Sequence, residues 1–156
     1  MKHSFRYLRI VILSVTFSFT SILSNAQTHS YIEKNKNLAN ELSGKYGIPS
    51  SVILAIAFVE TGGGTSKSSK TYNNHFGIVG KNNPTSKYKS FSSVKESYEA
   101  FCKLVVNKGY YAGLKGSNDV SKWVKSIASA GYSTQPKEWM RRINLIMSKY
   151  KMKKTD

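Results

Sequence analysis

Residues 49–64 read PSSVILAIAFVETGGG, an apolar run that ends in an acid and three glycines. Every residue from Val52 to Val59 is apolar, so a helix over this stretch has no face for water and must be buried. Pro49 suits the first turn of a helix, where the N–H that proline lacks would have no partner, and the glycines end the helix. The stretch therefore predicts a central buried helix with Glu60 at its C-terminal end.

Glu60 is the first candidate for chemistry. Low-dielectric surroundings and the negative end of the helix dipole both disfavour a carboxylate, so both raise the pKa of this carboxyl. A carboxyl that stays protonated near neutral pH can serve as a general acid. The alternative is a buried glutamate paired with one of the many Lys or Arg residues, because structural ion pairs also perturb pKa values.

The N-terminus has the pattern of a secretory signal. Three basic residues lie within the first nine positions, residues 10–23 are apolar with interspersed Ser and Thr, and Ser24-Asn25-Ala26 offers the small residues that a signal peptidase reads. We therefore expect residues 1–26 to be a signal peptide and the protein to be secreted or periplasmic. An uncleaved anchor is the alternative, although the apolar run is short for a membrane span.

The rest of the chain is expected to form a single domain over residues 27–150, followed by a basic tail over residues 151–156. The formal net charge is +16 and falls to +13 without residues 1–26, because that segment carries three basic residues and no acid. A secreted protein this basic is expected to meet a polyanion, and we expect an anionic cell envelope. Nucleic acid is not expected, since no zinc-ligand cluster, RNA-binding aromatic motif or helix-turn-helix signal accompanies the charge. We expect a monomer with neither metal nor cofactor.

The only cysteine, Cys102, excludes an internal disulfide. Tyr98, Phe101, Cys102 and Val105 fall at the i, i+3, i+4 and i+7 positions of one helical face, which indicates a core position for the thiol. A Cys–His nucleophile with His75 is the alternative, but His75 is expected on an exposed loop.

Helix and turn signals predict a mainly α domain of about six helices with one small β-hairpin. Capping boxes at Ser30–Glu33 and Ser93–Glu96 open helices that end at Gly47 and near Asn107. The other expected elements are a short polar helix over residues 65–70, a hairpin over residues 76–91, a Tyr-rich break over residues 109–113, a helix capped by Ser117 or Asn118 and closed by Gly131, and a last helix that Pro136 opens.

Four segments carry a resemblance to a known family. They read VETGGGTS (59–66), NNHFGI (73–78), YKSFSSVKES (88–97) and AGYST (130–134). Their order, spacing and content resemble the β-N-acetylglucosaminidase domains of glycoside hydrolase family 73, which include bacterial autolysins and the muralytic domain of flagellar rod-cap proteins. The resemblance covers roughly residues 48–150.

The resemblance implies a lysozyme-like fold with a small β-lobe across a groove, and cleavage of peptidoglycan glycan strands after N-acetylglucosamine. It implies that Glu60 is the catalytic acid and that Tyr132 lies near it. Turn formation alone would explain Asn74, and core packing alone would explain Phe76. The substrate-binding residues expected from the family motif and from glycines that a ligand can approach closely are Asn74, Phe76, Gly77 and Gly63.

One departure from the family pattern concerns a second acid. Many family members carry an acid in the β-lobe, but no Asp or Glu occurs between Glu60 and Glu96. Glu96 is a poor substitute, since its place in a capping box accounts for it. Either the N-acetyl group of the substrate serves as the nucleophile, with Tyr132 steadying the oxazolinium, or the enzyme is slow or only binds glycan. The competing hypotheses are thus a secreted peptidoglycan hydrolase, a non-catalytic glycan- or envelope-binding module, and a cationic polyanion binder.

Overall fold

The computed structural model describes residues 29–152, which fold into a helix-rich domain. The predicted signal peptide and the last four residues of the predicted tail lie outside the described residues. No helix in the described part of the chain is long and apolar enough to cross a membrane. The helices, in chain order, are α1 (Ser30–Tyr46), α2 (Ser50–Thr61), α3 (Lys67–Tyr72), α4 (Val94–Val106), α5 (Tyr111–Leu114), α6 (Val120–Ser129) and α7 (Pro136–Lys149).

Helix α2 lies at the centre of the domain, as its apolar run predicts. Of its 12 residues, only Glu60 is not buried. Helices α1, α6 and α7 pack around it, and α4 packs against α1. Gly62, with a φ of 58°, ends the helix and donates its N–H to the carbonyls of Phe58 and Val59. Pro49 stands one position earlier than expected, as the residue that precedes the first turn.

The starts of α1 and α4 differ in how they are capped. Helix α1 is capped by His29, whose Nδ1 accepts the N–H of Tyr31 at 3.2 Å, and not by the predicted Ser30. Imidazole can satisfy a first-turn N–H as a hydroxyl does, and Glu33 pairs with Lys36 instead of reaching back. The second prediction is confirmed, since Ser93 caps α4.

The later helices occur where the sequence predicts them, with two changes. The Tyr-rich break contains the one-turn helix α5, whose Tyr111 hydroxyl donates to the carbonyl of Tyr46 at 2.7 Å. Helix α6 is capped by Asp119, which accepts the N–H of Lys122, rather than by Ser117 or Asn118. Its apolar face packs against α7, which begins at Pro136 as expected.

The predicted hairpin is reduced to a single antiparallel bridge between Val79 and Tyr88. The reason is visible at Asn82, whose side-chain amide donates to the carbonyl of Ser90 at 2.8 Å and accepts the Ser90 N–H at 2.9 Å. A side chain therefore takes the backbone groups with which a second strand would continue the ladder. The β-lobe is a loop closed by one bridge and by side-chain hydrogen bonds.

The core position predicted for Cys102 is confirmed, because its side chain is fully buried. Burial raises the pKa of the thiol to about 12, so the thiol stays protonated at neutral pH. A protonated buried thiol is a poor nucleophile. The structure therefore disfavours a Cys–His nucleophile, and Glu60 is the remaining candidate for chemistry.

Candidate active site

Glu60 emerges from the last turn of α2, directly before the glycine turn. Its neighbours Val59 and Thr61 are buried, whereas Glu60 itself is half-buried. The left-handed conformation of Gly62 stops the helix there, since φ values near +60° are open to glycine at little cost. The buried helix therefore places the carboxyl of Glu60 at the edge of the interior, where it is half-exposed.

The two carboxyl oxygens of Glu60 meet different surroundings. Oε1 accepts a hydrogen bond at 2.8 Å from the indole Nε1–H of Trp139, a residue of α7. Oε2 lies beside Gly77, where a Cβ would approach it to 3.3 Å. Arg142, one turn after Trp139, donates to the carbonyl of Val59 at 3.3 Å. Two side chains of α7 thus form hydrogen bonds with the C-terminal end of α2.

Burial is the largest influence on the ionisation of Glu60. It raises the pKa of this carboxyl, whereas the Trp139 hydrogen bond and the charge of Arg142 act against it, and the net direction is upward. None of the five ion pairs among the described residues includes Glu60. The geometry therefore favours the proton-carrying carboxyl over the buried ion pair.

Tyr132 lies close to the same acid and fixes the loop beside it. Its hydroxyl donates to the carbonyl of Phe76 at 2.7 Å, and its ring lies 5.4 Å from that of Trp139. Burial, with the negative charge of Glu60 as a smaller contribution, raises its pKa well above 10, so it remains a phenol. Glu60, Tyr132 and Gly77, which the sequence singled out together, are neighbours in the fold.

The structure places Asn74 and Phe76, two of the expected substrate-binding residues, in the interior of the domain. Asn74 is 1% exposed, and its amide donates to the carbonyls of Ile78 and Lys89 at 2.8 Å each. Phe76 is 2% exposed and stacks on Phe101 with ring centroids 4.3 Å apart. A satisfied buried amide and a stacked buried ring shape the loop but have no surface to offer a sugar.

The groups around Gly63 are side chains of α2 and of the residue that caps α1. A Cβ at this position would meet the ring of His29 at 3.0 Å and that of Phe58 at 3.1 Å. Gly63 borders a cavity of about 360 Å³ between α1, α3 and the loop that carries His75, and Glu60 does not line it. The groups that lie close to Gly63, and leave no room for a side chain there, are therefore rings of the protein and not a ligand.

Three functional-site features were not predicted from the sequence. Trp139 and Arg142 lie on the last helix, and nothing local in the sequence shows that this helix meets Glu60. His75 is buried, not exposed: its Nδ1 bonds the Tyr31 hydroxyl at 2.6 Å, and that hydroxyl also bonds Tyr98 at 3.0 Å. Burial lowers the pKa of His75 to about 4, so the imidazole is neutral at physiological pH.

The other carboxylates of the described chain have partners of their own. Glu96 accepts from the N–H and hydroxyl of Ser92 at 2.7 Å each, which fits its expected role at the start of α4. Asp119 caps α6. The remaining acids form ion pairs, which join Glu33 to Lys36, Glu41 to Lys95, Glu99 to Lys45 and Glu138 to Arg141.

The fold and the site define a helical domain that presents one half-buried glutamate at the end of its central helix. Residues 36–152, about three quarters of the chain, match the family model Glucosaminidase, described as mannosyl-glycoprotein endo-beta-N-acetylglucosaminidase. The chain therefore belongs to this glycosidase family, the GH73 family that the sequence resembles.

Solved structures share the fold at low identity. The catalytic domain of the autolysin Auto from Listeria monocytogenes is 22% identical, with a TM-score of 0.64 over 81% of this chain and 85% of that one. The glycoside hydrolase domain of FlgJ from Salmonella typhimurium is 18% identical, with a TM-score of 0.65 over 81% and 99%. A peptidoglycan hydrolase from Sphingomonas sp. A1 is 20% identical, with a TM-score of 0.62 over 80% and 94%. No curated protein shows significant similarity to the chain.

Gly77→Ala tests whether the space beside Oε2 is used. The backbone at Gly77 has a φ of 63°, and the new methyl group would lie 3.3 Å from Oε2. We expect a stability cost of about 1–2 kcal/mol from the left-handed backbone, and a loss of cell-wall hydrolysis larger than that cost explains. Gly116→Ala is the matched control, with a φ of 77° and no atom within 4 Å of the added Cβ. Equal activity of the two folded variants would show that the gap beside Oε2 is not needed.

Proposed function

We propose that the protein is a secreted peptidoglycan hydrolase that cleaves the glycan strand after N-acetylglucosamine, with Glu60 as the general acid. The observation that carries this proposal is the half-buried Glu60 carboxyl, held by Trp139 and open beside Gly77. Family membership supports a glycosidase, and two structural neighbours are named as an autolysin and a peptidoglycan hydrolase.

The first chemical step would be protonation of the leaving oxygen. Glu60 gives its proton to the glycosidic oxygen as the bond from that oxygen to the anomeric carbon breaks, and the sugar ring takes up the positive charge. Burial raises the pKa of Glu60, which favours the protonated form that this step requires. The resulting carboxylate can then take a proton from the water that completes hydrolysis, which restores the acid.

Glu60→Gln is expected to abolish hydrolysis and to leave the fold intact. Glutamine keeps the shape of the side chain and can still accept the Trp139 N–H, but it cannot supply a proton. General acid catalysis contributes roughly 100- to 10,000-fold, so a loss of at least that order should appear in zymography on purified cell wall. Mass spectrometry of the wild-type products should find N-acetylglucosamine at the new reducing ends. Retention of more than about a tenth of the activity would assign the acid to another residue.

The second group in the reaction is proposed to come from the substrate. Residues 61–95, which include the lobe closed by the Val79–Tyr88 bridge, contain no Asp or Glu. The N-acetyl carbonyl oxygen would attack the anomeric carbon and form an oxazolinium, a recognised exception to the two-carboxylate scheme. Because the Tyr132 hydroxyl donates its hydrogen to Phe76, the lone pairs on its oxygen are what remain to steady that positive charge.

The stereochemistry of the product tests this proposal. Substrate assistance retains the anomeric configuration without a glycosyl–enzyme bond, so NMR of fresh product should show the β anomer first. A thiazoline mimic of the oxazolinium should inhibit, since analogues of intermediates bind far more tightly than substrate. An initial α product would instead require a water activated on the opposite face and would exclude substrate assistance.

A non-catalytic glycan-binding module is the second candidate, and the acid-free lobe is the observation that favours it. Such a module would sediment with purified sacculi and would leave the wall uncleared. A cationic polyanion binder would instead bind DNA in a salt-sensitive way and show neither effect.

Secretion and attraction to an anionic envelope complete the proposal. Their basis is the N-terminal pattern of residues 1–26 and the charge of +13 that remains without them. Exposed charges are screened over about 10 Å at 0.1 M salt, so sedimentation with sacculi and hydrolysis should both weaken as salt rises. Binding that stays constant across the salt series would show that charge is not the recruiting force.

A further inference from the structure

The hydrogen bond between Trp139 and Glu60 joins two residues that are 79 positions apart in the chain. Within residues 29–152 it is the only hydrogen bond to the Glu60 carboxyl, and it engages Oε1 alone. Oε2, on the side of Gly77, has no hydrogen-bond partner in that part of the chain. The two oxygens of one carboxyl are therefore not equivalent.

We propose that Trp139 is a positioning residue that fixes the orientation of Glu60 and confines its transferable proton to Oε2, the oxygen beside Gly77. An indole N–H is a donor only, and in a neutral carboxylic acid the carbonyl oxygen is the one free of hydrogen. A proton on Oε1 would compete with the indole hydrogen for the same oxygen. The inference rests on the proposed function, because it describes how the acid presents its proton.

The direction of the indole is itself fixed by packing. Trp139 is 5% exposed and lies in the first turns of α7, with the Tyr132 ring 5.4 Å away. One turn later, Arg142 binds the Val59 carbonyl, so α7 is attached to α2 immediately before Glu60. A donor held this way does not have to be oriented when substrate arrives, which is the advantage of a preorganised site.

Satisfaction of a buried indole is the simpler explanation, and Trp123 provides the comparison. Trp123 is fully buried, and its Nε1–H donates to the carbonyl of Ser117 at 2.9 Å. A backbone carbonyl is enough to satisfy an indole, and it does not titrate. The Trp139 indole N–H instead donates to the half-buried carboxyl of Glu60 at the end of α2. Because a hydrogen bond to the carboxylate favours the charged form, this contact changes the relative stability of the two protonation states of Glu60.

The charged and titratable groups around Glu60 give the direction of the effect. The Trp139 hydrogen bond and the positive charge of Arg142 both lower the pKa of Glu60 against burial, while Tyr132 is a neutral phenol. Loss of the indole donor should therefore raise the pKa of Glu60. Since a general acid works only while protonated, the alkaline limb of the activity profile should move to higher pH.

Infrared difference spectroscopy across a pH titration of the free protein tests the proposal without turnover. Glu60→Gln identifies the carbonyl band of protonated Glu60. In Trp139→Phe, we expect that band to rise in frequency, because its hydrogen bond is lost, and its titration to shift to higher pH. The alkaline limb should follow, and kcat should fall by roughly 10- to 100-fold with a smaller change in KM, because a misplaced acid is costly.

Trp123→Phe is the matched control, since it removes an indole of the core and leaves the Glu60 band and titration unchanged. If Trp139→Phe does not fold, 5-fluorotryptophan can be incorporated into the Trp123→Phe variant, where it replaces Trp139 alone and gives it a more acidic N–H. The carbonyl band of Glu60 should then fall in frequency, and its titration should shift to lower pH. A band and a titration that stay fixed in these variants would overturn the proposal. Activity retained by Glu60→Gln would overturn the proposed function instead.

Discussion

Helix α2 has no side that can face water, and the rest of the domain is arranged to cover it. Eleven of its 12 residues are buried, and α1, α6 and α7 surround it. Burial of aliphatic side chains contributes about 1.5–3 kcal/mol each, so covering α2 stabilises the domain substantially. The only α2 side chain to leave the interior is Glu60, and it does so where the glycine turn ends the helix.

This burial also sets the chemistry of the acid. The same low-dielectric surroundings that stabilise the helix raise the pKa of Glu60, and α7 supplies the two groups that oppose the rise. Without these two groups the pKa of the carboxyl would be raised further. Packing of α7 on α2 is therefore a structural contact and, in the reaction that we propose, also a control on proton transfer.

Much of the fold could be predicted because its signals are local. The unbroken apolar run predicts α2 and places Glu60 at its end, and Pro136 predicts the start of α7. The Trp139–Glu60 contact could not be predicted from the residues, because helical periodicity shows that an indole is buried but not which group its N–H meets. The hairpin was overestimated for a related reason, since the side chain of Asn82 competes for the backbone of Ser90.

The Asn-Asn-His-Phe-Gly-Ile segment shows what a family motif can encode. The segment is held from three directions. The Asn74 side chain donates to the carbonyls of Ile78 and Lys89, the backbone N–H of His75 donates to the Ser97 hydroxyl, and the Phe76 ring stacks in the core. The hydroxyl of Tyr132, from the segment AGYST, donates to the Phe76 carbonyl.

All of these contacts fix the backbone immediately before Gly77, the residue without a side chain that faces Oε2 of Glu60. The motif is thus accounted for as a scaffold that places one glycine against one acid. The position of that glycine therefore depends on the buried side chains of Asn74 and Phe76 and on the Tyr132 hydroxyl.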